Sequence, residues 1–161
     1  MGLFGNLFKG PQVDMAKSDA NRKKMRALFN QVVENGDDYN ILFGFTEDVG
    51  RFNYGIVHGS KIKIGNLIVG WNEASQTIVV IPTVPDLSGC GDAAFYRRSD
   101  ILKAYQNKFP TDEFIIYPDR KGYIGIGVCE WLEDEKLYVY VCQDEEVKAF
   151  TDFFLKQFQK K

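Results

Sequence analysis

Few residues in this 161-residue chain are equipped for chemistry. His58 is the only histidine, and the three cysteines, Cys90, Cys129 and Cys142, show no C-x-x-C spacing. A zinc site would therefore need distant residues to converge without the usual paired ligands. Gly89-Cys90-Gly91 places a thiol in a flexible loop. A cysteine nucleophile needs an oriented base beside it, however, and only His58 is on offer. Carboxylates cluster at Glu47-Asp48, Asp112-Glu113, Glu133-Asp134-Glu135 and Asp144-Glu145-Glu146. These positions are turns or a helix start, where acidic residues cap and solubilise. Gly122, Gly125 and Gly127 stand in the order G-x-x-G-x-G, which differs from the dinucleotide fingerprint, and no βαβ unit surrounds them. No catalytic residue, cofactor or metal is expected, and the chain is read as a non-enzyme.

The elements that would position these residues begin with the last forty. Tyr123–Glu130 and Leu137–Cys142 read as a strand pair. Asp144 then reads as the N-cap of an amphipathic helix, with Val147, Phe150, Phe154 and Phe158 as one apolar stripe. Gly125 and Gly127 share one strand face, so a bulky group, an aromatic ring or the N-terminal helix, is expected over them.

Residues 14–35 read as a helix, with Met25, Leu28, Phe29, Val32 and Val33 at helical spacing and Asn35-Gly36 as its stop. Its middle carries the basic cluster Arg22, Lys23, Lys24 and Arg26. Residues 1–13 form an arm in which Leu3, Phe4, Leu7 and Phe8 would share one face of a short helix. Gly5 weakens that helix, and Gly10-Pro11 end it. Between the helices run β-branched and aromatic segments with turn residues between them, the signature of an antiparallel meander. They are Tyr39–Phe45, Phe52–His58, Lys61–Ile64 with Leu67–Trp71, Thr77–Ile81 and Phe114–Tyr117. Pro82 is read as ending the fourth. Ser99–Phe109 fits either a short helix or a strand. Residues 82–94 are the least regular stretch. The core is expected to use Leu28, Phe29, Val32, Ile56, Ile68, Val79, Ile81, Ile126, Val128, Val139, Phe150 and Phe154.

Composition bounds the rest. The length suits one domain with a real core: an arm at 1–13, a helix at 14–35 and a β domain with its closing helix at 36–161. Net charge is −2, which argues against a general nucleic-acid binder. Residues 1–35 carry six Lys/Arg against three Asp/Glu, and the remainder fourteen against nineteen. An odd number of thiols fits a reducing compartment. No apolar run approaches the roughly 20 residues that cross a bilayer, and the N-terminus lacks a secretory apolar region. The expected location is the cytoplasm.

The segments WNEASQTIVVIP (71–82), RRSDILKAY (97–105), EFIIYPDRKGYIGIGV (113–128) and DEEVKAFTDFFLKQF (144–158) follow one another in an order that resembles a bacterial pleckstrin-homology-like domain. The resemblance covers about residues 39–158. It implies an α+β fold: a bent antiparallel barrel of two sheets closed by the C-terminal helix, here with an added N-terminal helix. It also implies a mostly non-enzymatic family that binds phosphoinositides, peptides or protein surfaces. The lipid role transfers poorly. The first inter-strand loop, Thr46–Arg51, sets Glu47 and Asp48 against Arg51 alone, and an acidic loop repels an anionic headgroup.

The leading expectation is thus an interaction module for a protein or peptide partner, or for self-association, with no nucleic acid. The second is a peripheral membrane protein held through Leu3, Phe4, Leu7 and Phe8 together with Arg22, Lys23, Lys24 and Arg26. The third is a small-molecule or enzymatic site in the 82–94 loop.

Overall fold

The fold was analysed in a computed structural model, which describes residues 13–47, 56–58, 63–109 and 112–161. Among the described residues it is an α+β fold with two antiparallel sheets and two α-helices. Helix α1 spans Met15–Val32, and its N-cap is Asp14, whose carboxylate accepts from Lys17 N–H. Asn35 takes the left-handed conformation beyond its end (φ 55°). The first sheet contains β1 (Asn40–Thr46), β2 (Ile56–His58), β3 (Lys63–Asn72), β4 (Thr77–Thr83) and β5 (Ala94–Arg97) in the order β1-β3-β4-β5, with β2 paired to the start of β3. The second contains β6 (Lys103–Asn107), β7 (Glu113–Asp119) and β8 (Gly122–Ile126) in sequence order. Helix α2 spans Asp144–Phe153 and continues as a π-helical turn, Phe154–Phe158.

The central strands of the first sheet, β3 and β4, are buried on both faces. Between the sheets, Leu42, Trp71, Ile78 and Phe114 meet Phe150 and Phe154 of the closing helix. On the other face Phe43, Ile68, Val79 and Ile81 meet Phe29 of α1 and Val139. That double cover explains why TIVVI is apolar at consecutive positions: neither face of β4 meets water. Rings join the layers, with Trp71 and Phe114 edge-on to Phe150 at centroid distances of 5.3 and 5.0 Å.

The two sheets touch where Phe45 and Gly127 exchange both backbone hydrogen bonds, at 2.9 and 2.8 Å. Among the described residues they form no closed barrel. β5 and β6 follow each other without pairing, and the C-terminus occupies the edge of β6. Lys160 exchanges both backbone bonds with Ala104, and its ammonium donates to the carbonyls of Arg98 and Ile101.

Several expectations are corrected. Leu137–Cys142 is not a strand, so the chain ends in no hairpin, and β8 itself stops at Ile126. Its facing neighbour is helix α1, which has no free backbone ladder to offer. Side chains satisfy the segment instead: Asn66 bonds Leu137 O and Val139 N, Asn21 bonds Tyr140 O, and Ser18 accepts from Cys142 N. The residue before α2, Gln143, holds the cap position, and Asp144 lies within the first turn. β4 does not stop at Pro82. Pro82 O accepts from Gly91 on the side away from β3, so the missing N–H falls outside the β3 ladder. Ser99–Phe109 contains strand β6, and β5 begins at the end of the 82–94 stretch, where no strand was expected. Val32 is 38 % exposed and leaves the core list, while Val128 is only half-buried. Of the strand expected at Phe52–His58, only Ile56–His58 is described. Gly127 does lie under an aromatic ring: a Cβ there would come within 2.5 Å of Phe45. Gly125 lies under the Glu113 carboxylate rather than a ring or the N-terminal helix.

Candidate functional site

The free edge of β1 organises the strongest site. In an antiparallel ladder, alternate residues turn N–H and C=O to the same side. Facing away from β3 are Tyr39, just before β1, and Ile41, Phe43 and Phe45 of β1, and three of these four are matched. Tyr39 O accepts from the Arg26 guanidinium at 2.9 Å. Phe43 N–H donates to Gln143 Oε1 at 2.8 Å, and Phe43 O accepts from Gln143 Nε2 at 2.9 Å. Phe45 pairs with Gly127. Ile41 shares that side, and its N–H and C=O take no partner among the described residues.

The gap at Ile41 opens into a cleft of about 370 Å³ between the two helices. Helix α1 supplies Arg22, Met25 and Arg26 to one wall, and α2 supplies Glu145, Glu146 and Ala149 to the other. Leu42, Trp71 and Val141 add an apolar lining. Trp71 is 1 % exposed, and its indole N–H has no hydrogen-bond partner among the described residues. A buried donor left unmatched costs about 1–3 kcal/mol, so a group that accepts from it recovers free energy on binding. Trp131 has a second indole N–H unmatched among the described residues, but that ring lies edge-on to Tyr140, and Trp131 does not line this cleft.

Charge is distributed unevenly around the cleft. Arg22 is bound to Glu146 and to Cys142 O. The hydrogen bond to Glu146, stronger than the opposing effect of burial, raises the Arg22 pKa. Arg26 donates only to neutral carbonyls, Gly36 O and Tyr39 O, so its positive charge has no counter-ion in these bonds. Glu145 is exposed on the opposite wall.

The four basic residues expected to act together are divided by the helix. Arg22 and Arg26 turn onto the domain and line the cleft, while Lys23 and Lys24 are exposed. Leu3, Phe4, Leu7 and Phe8 lie outside the described residues, as does most of the Thr46–Arg51 loop. The 82–94 loop is stitched by its own bonds: Thr83 Oγ1 donates to Gly89 O, Leu87 N to Val84 O and Gly91 N to Pro82 O. Leu87 is buried with φ 56°. Burial, followed by the Asp92 charge, raises the Cys90 thiol pKa, which disfavours the reactive thiolate. Burial also raises Cys142, and it raises Cys129 to about 11. Among the described residues, no group of three or more His, Cys, Asp or Glu side chains is placed to hold a metal ion. No described helix is long and apolar enough to cross a membrane.

Ile41, Trp71 and Gln143 were not among the residues expected to matter. Trp71 reads as one more apolar residue at the end of a strand, and Gln143 as the residue before a cap. Only the tertiary structure shows which backbone groups each side chain meets. Comparison with protein-family models, curated proteins and solved structures found no match.

Proposed function

We propose that the chain is a non-enzymatic binding module that accepts a protein or peptide segment in the cleft between α1 and α2. The observation that carries this reading is one cleft lined both by Trp71, whose buried indole N–H is unmatched among the described residues, and by Ile41 with its open peptide edge. A lining of mixed polarity, with Met25, Leu42, Trp71 and Val141 beside Arg26, Asn40 and Glu145, suits a peptide, which joins a polar main chain to side chains that can be apolar. The fold reading is pleckstrin-homology-like. It is supported by the order of elements, a four-strand antiparallel path followed by a three-strand sheet and then a C-terminal helix. That analogy bears on the class of function alone.

The test uses Trp71 as its own reporter. Replacing Trp131 by Phe leaves Trp71 as the only tryptophan. Titration with pools of short capped peptides is expected to change its fluorescence saturably, and mass spectrometry should recover the peptides intact. No change with any pool would contradict the binding site, and cleavage or modification of a peptide would contradict the non-enzymatic reading.

A further inference from the structure

The edge of β1 indicates how a partner would be held. The Gln143 side chain shows the required chemistry. Its carboxamide meets Phe43 with an acceptor and a donor at once, as a neighbouring strand would. Two residues earlier, Ile41 presents the same pair of groups on the same side, with no carboxamide before it. Deepening the binding reading above, we infer that the cleft takes an extended peptide that pairs its main chain with Ile41. One residue of the partner donates its N–H to Ile41 O and accepts from Ile41 N–H through its own C=O. A second carbonyl accepts from Trp71 Nε1.

Geometry limits the contact to a short bridge. The matched positions at Tyr39 and Phe43 lie two residues to either side of Ile41, roughly 6–7 Å along the strand at about 3.3 Å per residue. Arg26 and Gln143 already fill those positions. The partner therefore adds one paired residue and then leaves the edge. Arg26, which among the described residues bonds only neutral carbonyls, favours a carboxylate near one end of the bound segment. Main-chain pairing of this kind supplies affinity with little sequence demand, and the lining residues supply selectivity.

The probe is N-acetylvaline N-methylamide, compared with a counterpart in which an ester oxygen replaces the valine N–H. Nitrogen-15 NMR of the full chain follows the Ile41 amide and the two indole N–H groups. The expected result is a saturable downfield shift of Ile41 N–H and Trp71 Nε1–H, with Trp131 unaffected. The ester should bind about fivefold or more weakly, the effect of losing one hydrogen bond. A shift of Trp71 alone, or equal affinity for the ester, would overturn main-chain pairing and leave the cleft as a binding site. No shift at either position would overturn both readings. Shifts that grow with protein concentration before any probe is added would assign the cleft to a second copy of the chain. Bonded resonances at all dilutions would assign it to the chain itself. Either of these last results would overturn the inference of a separate peptide partner.

Discussion

Gln143 shows how much one side chain decides here. It is 1 % exposed, and it bonds Phe43 N and O and Cys129 O. Gln143→Ala leaves these buried groups unmatched and is expected to lower stability by at least about 2 kcal/mol in denaturant unfolding. Gln143→Glu keeps the acceptor for Phe43 N–H but removes both donors and buries a charge, so it should be at least as damaging. Its role was not legible in the sequence, because a glutamine before a helix signals nothing about a strand 100 residues away. Cys129 gives a pH prediction. Burial is the main cause of its pKa rise from 9.0 to about 11, with the Glu130 charge assisting and a backbone hydrogen bond from Trp131 opposing. Between those values the unfolded chain has released this proton and the folded one has not. The unfolded state then binds fewer protons, so the Cys129 contribution makes stability fall as pH rises through that window. Stability measured from pH 8 to 11 should decline less steeply in Cys129→Ser than in the wild type, and parallel curves would contradict the burial of this thiol.

At the level of elements, α1 was legible because Met25, Leu28 and Phe29 repeat at helical spacing, and the structure buries all three. What α1 covers was not legible. Phe29 lies over Gly70 of β3 so closely that a Cβ there would meet the ring. Gly70→Ala is therefore expected to cost about 1–3 kcal/mol through overpacking, with the loss concentrated in α1 protection during hydrogen exchange. Leu137–Cys142 shows the opposite outcome. Its alternation imitates a strand, yet periodicity carries no information about whether a partner strand is available. Asn66, fully buried, holds that segment by bonds to Leu137 O and Val139 N. Asn66→Ala should accelerate exchange of the Val139 amide well beyond the change in global stability. An unaltered rate would mean that the segment is held by its apolar contacts alone.

On the scale of the whole molecule, the sequence conveyed the α+β class and most strands, because turn residues separate β-branched runs. It did not convey that β3 and β4 are covered on both faces, or that the last residues fill the seam between β5 and β6. Phe154 and Phe158 are fully buried, and Lys160 bridges to Ala104. Phe154→Ala is expected to cost roughly 3–5 kcal/mol, measured by denaturant unfolding. A negligible change would remove the closing helix from the core. Lys23 and Lys24 are the exposed members of the basic cluster. The binding-module reading predicts that the full chain sediments no more with anionic than with neutral vesicles at physiological salt. Salt-sensitive sedimentation with anionic vesicles would favour a membrane role instead.

Trp71→Phe removes the one side-chain donor on which binding in the cleft is argued to depend. The substitution keeps an aromatic ring against Phe150 and removes the unmatched indole N–H. The binding of N-acetylvaline N-methylamide to wild type and variant is compared by nitrogen-15 NMR at the Ile41 amide, after circular dichroism has shown the variant folded. The expected result is a folded variant whose affinity for the probe falls about fivefold or more. A folded variant that binds the probe as tightly as the wild type would contradict it.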